Sequence, residues 1–204
     1  MMRLLGRVAL VTGATSAAGL AIVARFAEAG VSVVALDRAC SPHPAGPPVC
    51  RVDGDPTCPR AVGEGVSLAL AEFGRLDMLV TCVPTVEAAL AGGRSALPAL
   101  RARGGSIVNV ARPPAAGDDD EFETHAAAAR HGGIVALTRS MALTYAPHGI
   151  RCNAICLPGS ARHGWPGTAS SLHDLARTTL HLSSPHAGFV TGAVVGLDAG
   201  WRAA

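Results

Sequence analysis

At 204 residues the chain has the length of one domain, residues 1–204. Apolar residues make up 49% and charged residues 16%, which fills a core and excludes a disordered chain, while a 3% aromatic share means that Ala, Val and Leu build that core. A net charge of +2 without a long basic block argues against nucleic acid as a partner, and no apolar run reaches the roughly 20 residues that span a bilayer.

Met1 to Gly6 leads straight into a strand without the pattern of a signal peptide, so a cytoplasmic protein is expected. The first strand, Val8–Thr12, runs into Gly13-Ala14-Thr15-Ser16-Ala17-Ala18-Gly19 and then an amphipathic helix, Ser16–Ala29. Such a unit aims backbone N–H groups and the positive end of a helix dipole at one point, where a pyrophosphate can sit. Strands follow at Ser32–Asp37, Val49–Asp53, Met78–Val83, Ser106–Val110, Arg151–Leu157 and Ala193–Leu197. Helical patterns lie between them at Ala61–Phe73, Ser95–Arg103, Glu121–Ala146 and Leu172–Ser183. This alternation predicts right-handed crossovers and an α/β fold: a doubly wound Rossmann-type parallel sheet of strand order 3-2-1-4-5-6-7 in a single domain. Two connections depart from the pattern. Cys40–Pro48 holds four prolines and excludes a helix, which leaves one face of the sheet edge thinly covered, and Pro158–Thr168 is a short loop rich in Gly, Pro and His.

Six cysteines form no Cys-x-x-Cys pair, and eight histidines show no metal-ligand spacing. The cysteines read as small buried hydrophobes in a reducing compartment, and no metal is expected. Asp118-Asp119-Asp120-Glu121 precedes a helix, where negative charge favours the dipole. Tyr145, the only tyrosine, falls near the end of the long helix and reads as core or interface.

With these pieces in order, the chain resembles the short-chain dehydrogenase/reductase family nearly end to end. The family's Thr-Gly-x-x-x-Gly-x-Gly appears as Thr12 to Gly19, its strand-two acid as Asp37 and its strand-three acid as Asp53. Gly105–Val110 matches the fifth strand, Gly133–Arg139 and Pro147–Ile155 the long helix and sixth strand, and Pro158-Gly159 the Pro-Gly that follows. Val190-Thr191-Gly192 and Leu197–Trp201 resemble the C-terminal signature. The resemblance implies a nicotinamide dinucleotide held by Gly13, Thr15, Ser16, Gly19, Asp37, Asp53, Pro158 and Gly159. Asp37 favours NAD by bonding the adenosine ribose and repelling a 2′-phosphate, with Arg38 beside it as a counterweight. It also implies a small-molecule substrate and self-association, as a homodimer or a higher homo-oligomer, through Glu121–Ala146 and Val190–Trp201.

The departures are as specific. Ala17 replaces the middle glycine, so cofactor affinity is expected to be weak. Thr81-Cys82-Val83-Pro84 replaces the family's Asn-Asn-Ala-Gly, and the stretch after it, which normally carries the catalytic Asn, is shortened. Alignment through the fifth strand puts Arg112 at the catalytic Ser position. Counting back from Leu137-Thr138-Arg139 puts Ala127 at the Tyr and His131 at the Lys. Ala127 has no proton to give, and acid–base help of this kind is worth on the order of 10²–10⁴ in rate. Ordinary ketoreduction is therefore not expected. The candidate catalytic residues are Arg112, a permanent cation able to hold an oxyanion, and His131, which can move a proton near neutral pH. Drift of both residues after loss of the triad stands as the alternative. Three functions stay open: a repurposed, non-redox catalyst such as an isomerase, cyclase or lyase in a specialised pathway, an NAD(H)-dependent oxidoreductase using His131 and Arg112, or a silent partner subunit.

Overall fold

A computed structural model describes residues 4–38, 49–111, 121–157 and 169–197. Seven strands, β1 (Val8–Thr12), β2 (Ser32–Asp37), β3 (Val49–Asp53), β4 (Met78–Thr81), β5 (Gly105–Ala111), β6 (Ile150–Cys156) and β7 (Val194–Gly196), form one sheet. Its order is β3-β2-β1-β4-β5-β6-β7, and every pairing is parallel, with Val11 beside Val80, Leu79 beside Ile107 and Val108 beside Asn153. The expected topology is the observed one. Strand order reverses at β1 and β4, which places a crevice beyond their carboxyl ends.

Helices α1 (Ala17–Glu28), α2 (Pro59–Phe73), α3 (Val86–Arg101), α4 (Glu121–Tyr145) and α5 (Ala169–Ser183) cover the two faces. Alternation along the strands decides which side chain meets which layer. Ala9, Val11 and Val108 face α1 and α5, where Ile22 and Phe26 recur at helical spacing and Phe26 is wholly buried. Leu10, Leu36, Leu79 and Ile107 face the other way, toward α2, α3 and α4. At the edge, β3 is at most half-buried along its length.

Several boundaries differ from the sequence reading: α5 starts at Ala169 rather than Leu172, some ends move by one residue, and three shifts have a plain local cause. Helix α3 starts at Val86 rather than Ser95, because Thr85 is extended and its hydroxyl caps the Ala88 N–H at 3.2 Å. Gly92, Gly93 and Pro98 disguise this helix in the sequence. The glycines instead allow close packing: a Cβ on Gly93 would lie 2.5 Å from Met141 Cε, and one on Gly133 of α4 would lie 2.6 Å from Val86. Strand β4 ends at Thr81, since Val83 and Thr85 already form the turn that enters α3. Helix α2 starts two residues early, at Pro59, because proline at the first helical position lacks only an N–H that would be unbonded there. Among the described residues no helix is long and apolar enough to cross a membrane. The loops 40–48 and 158–168 and the acidic residues 118–120 lie outside the described residues.

Candidate functional site

The turn after β1 is shaped by two glycines. Gly13 has φ +71°, and a Cβ there would sit 2.8 Å from Val83 Cγ2. On Gly19 a Cβ would strike the Gly13 carbonyl oxygen and lie 2.7 Å from Ala14 Cα, so helix and strand meet at van der Waals contact. Ser16, extended at φ −65° and ψ 156°, caps α1: its hydroxyl accepts from the Gly19 N–H at 3.0 Å and donates to the Gly13 oxygen at 2.7 Å.

The fate of each amide in the turn decides what it can hold. The Gly13 and Ala14 N–H groups donate to the Leu36 oxygen, at 2.9 and 3.3 Å, and the Ser16 N–H donates to the Gly13 oxygen at 3.2 Å. The Thr15 N–H and hydroxyl both donate to Asp37 Oδ2, at 2.9 and 2.6 Å. Ala17 and Ala18, the first two residues of α1, keep amides that find no acceptor among the described residues, and the Ala17 side chain is exposed beside them. Unbonded amides at a helix start are an anion seat. The turn therefore fits a dinucleotide phosphate, with the methyl of Ala17 as its departure from the usual glycine.

At the end of β2, Asp37 Oδ1 accepts the Arg38 N–H at 2.8 Å, while the Arg38 guanidinium turns to Asp55 Oδ2 at 2.7 Å. Hydrogen bonds from Thr57 and Arg38 hold the Asp55 carboxyl at a pKa of about 2. Asp53 is exposed and lies beside Asp37 in the strand register. A carboxylate offers about four acceptor positions, so Asp37, with three in use, keeps roughly one for a ligand hydroxyl.

Beneath this end of the sheet is a buried polar chain that the sequence reading missed. Thr81 Oγ1 donates to Asn109 Oδ1 at 2.7 Å, and Asn109 Nδ2 donates to Thr138 Oγ1 of α4 at 2.9 Å. All three residues are buried. The neighbouring Cys82 thiol is pushed up to about 12 by burial and the Asp37 charge. No signal short of the strand register could have joined positions 81, 109 and 138.

Helix α4 carries the two other positions of interest. Ile134 packs on Ala111 and Cys156, which end β5 and β6, so His131 and Ala127 stand one and two turns further out, beyond the strand ends. Residues 127, 131, 134 and 138 share one helix face, and both Ala127 and His131 are half-buried. His125 is exposed. The sheet ends at Ala111, one residue before Arg112; Arg112, Pro158 and Gly159 lie outside the described residues. Tyr145, half-buried against the α3–α4 layer, has its pKa raised by burial. Among the described residues no cluster of His, Cys, Asp or Glu is suited to hold a metal ion.

Two family models match the chain: short chain dehydrogenase over residues 7–91, and enoyl-(acyl carrier protein) reductase over residues 85–164. The cis-4-hydroxycyclohexanecarboxylate dehydrogenase of Sinomonas cyclohexanicum is 32% identical, with 97% of each chain covered. That alignment runs over 243 positions against 204 residues here, so internal segments of the relative have no counterpart in this chain. The short-chain reductase protein NovJ of Streptomyces niveus is 27% identical, covering 95% of this chain and 93% of the relative. A solved Burkholderia xenovorans structure described as a short-chain dehydrogenase/reductase superposes with a TM-score of 0.83 at 27% identity, covering 100% of this chain and 99% of the other.

Proposed function

We propose that this chain, which belongs to the short-chain dehydrogenase/reductase family, binds NAD(H) at the Gly13–Gly19 turn and works as a repurposed catalyst on a small molecule rather than as a conventional ketoreductase. The observation that carries the proposal is the pair of open amides at Ala17 and Ala18, backed by Gly19 and flanked by Asp37. A bound nicotinamide would supply hydride exchange. Gly13, Thr15, Ser16 and Gly19 shape the phosphate seat, Asp37 and Asp53 border the adenosine end, and Pro158 and Gly159 are assigned to the cofactor by the family resemblance alone. Asp37 favours NAD over NADP, because its carboxylate repels a 2′-phosphate and Asp55 already engages the Arg38 guanidinium.

Ala127 offers no proton to a reacting oxygen, which is why the proposal departs from ketoreduction. His131, one turn along the same face, moves the proton, and Arg112 binds an anionic or enolate oxygen. The absent Ser-Tyr-Lys set points to a specialised pathway. A second reading, an NAD(H)-dependent oxidoreductase built on the same two residues, is favoured by the dehydrogenase activity in the name of the Sinomonas relative. Self-association as a homodimer or higher oligomer is supported by Leu143 on α4, 82% exposed, and by Phe189, which is fully exposed. Calorimetric titration with NAD⁺ and NADP⁺ tests the binding half: NAD⁺ should bind, weakly and more tightly than NADP⁺. Tighter NADP⁺ binding would sink the specificity, and no binding of either would point to a partner subunit. Arg112→Ala and His131→Ala should each abolish turnover of the true substrate; full activity in both would remove them from the mechanism.

A further inference from the structure

A cavity of about 260 Å³ lies at the opposite end of the sheet, where β1, β4, β5 and β6 begin. Strand β1 alone separates it from the glycine turn by roughly 16 Å. Its walls include Arg7, Asp77, Arg103, Arg151 and Ser183, with the backbone of Gly104 and Gly105 between them.

The charge around it does not balance. Asp77 is the only carboxylate among the described lining residues, and both Arg7 and Arg75 bind it. Arg103 is exposed and makes no ion pair among the described residues. Arg151 donates to the carbonyl oxygens of Leu182 at 2.6 Å, Ser184 at 3.1 Å and Val190 at 3.4 Å, but to no carboxylate among the described residues, and burial lowers its pKa. Three guanidinium groups, those of Arg7, Arg103 and Arg151, thus line the cavity with one carboxylate, and Arg75 binds that carboxylate from outside the lining. Helices α3 and α5 end here and contribute about half a negative charge each, which leaves roughly one positive charge unmatched among the described lining residues. The Ser183 hydroxyl in the wall is buried and has no partner among the described residues. Arg151 reads as a cap for the end of α5, and Arg103 lies two residues beyond the end of α3, where a cation offsets the dipole.

We propose that this cavity is a binding site for a small multivalent oxyanion, the chemistry shared by phosphate esters and polycarboxylates. Its volume falls below the about 300 Å³ at which drug-sized pockets begin, so the ligand is small. Guanidinium groups suit such an anion because their planar forks grip two oxygens at once. The site is independent of the nucleotide crevice and needs no cofactor.

The test is calorimetric titration of the full chain with sodium pyrophosphate and with citrate, at low ionic strength where screening is weak. One-to-one binding is expected, weakened at least tenfold in Arg103→Gln and unchanged in Arg25→Gln, a control on α1 whose guanidinium pairs with Glu28. Arg103 is exposed, so its variant should keep the wild-type melting temperature without ligand. Tighter pyrophosphate assigns the site to phosphate esters and tighter citrate to polycarboxylates. Wild-type affinity in Arg103→Gln would place the anion elsewhere and overturn the proposal. An equal loss in Arg25→Gln would reduce it to bulk charge, and no binding of either probe would end it.

Discussion

Asp77→Ala should cost about 2–4 kcal/mol of folding stability. The side chain is nearly fully buried. Oδ1 accepts from Arg7 Nη1 at 2.7 Å and Arg75 Nη2 at 2.5 Å, and Oδ2 from the Val8 N–H at 2.9 Å and Arg75 Nε at 2.8 Å. Breaking a buried pair costs about 3–5 kcal/mol, but Arg7, with 41% of its side chain exposed, is rehydrated in the variant and pulls the figure down. The Val8 N–H, left without its acceptor, holds it up. Asp77→Asn keeps the shape and that acceptor, so about 1–2 kcal/mol is expected. The sign of the pH dependence follows from the carboxyl. Burial pushes its pKa up, but hydrogen bonds from Arg75, Arg7 and the Val8 N–H outweigh burial and hold it below 3.8. A depressed folded pKa contributes stability above pH 3.8 that is lost as pH falls through the folded value. Urea denaturation followed by circular dichroism should give a difference between wild type and Asp77→Asn that is constant from about pH 7 to about pH 5 and shrinks below pH 3.8. An Asp77→Ala variant within about 0.5 kcal/mol of wild type, or a difference unchanged at about pH 3, would refute the reasoning.

Gly19→Ala should force the turn open, because the new methyl meets the Gly13 oxygen; about 1–3 kcal/mol of stability and at least tenfold in NAD⁺ affinity should go, and wild-type values in both melting and titration would show that the turn adapts. The cysteines should divide by environment when a disulfide reagent is added at about pH 8: exposed Cys58 reacts in the native protein, whereas Cys82 and Cys152, with thiols near 12, wait for unfolding. Rapid native modification of Cys82, read by peptide mass, would contradict the burial that raises it.

The sequence made legible whatever depends on neighbours along the chain. The glycine turn, its Ser16 cap and the strand–helix alternation are local patterns, and strand order follows from handedness once alternation is known. The shared face of Ala127 and His131 is also local, fixed by helical spacing. The first half of helix α3 is illegible in the sequence because Gly92 and Gly93 lower helix propensity, and the contacts that offset this, with Thr81 and Met141, lie on other elements. The Thr81–Asn109–Thr138 chain stayed hidden because it exists only once β4, β5 and α4 are side by side. The basic cavity gathers positions 7, 77, 103, 151 and 183, and each alone reads as an ordinary surface or strand-edge residue.

The bonds from Thr15 to Asp37 compete with the ribose contact proposed for that carboxylate. A ribose that presents two hydroxyls to Asp37 finds about one acceptor position free, and gains the second only if Thr15 lets go. Apparent affinity is then the intrinsic affinity scaled by the fraction of molecules already released. A mutation at Thr15 would thus change how often the door stands open as well as the shape of the phosphate seat, and the first effect would be read in the association rate.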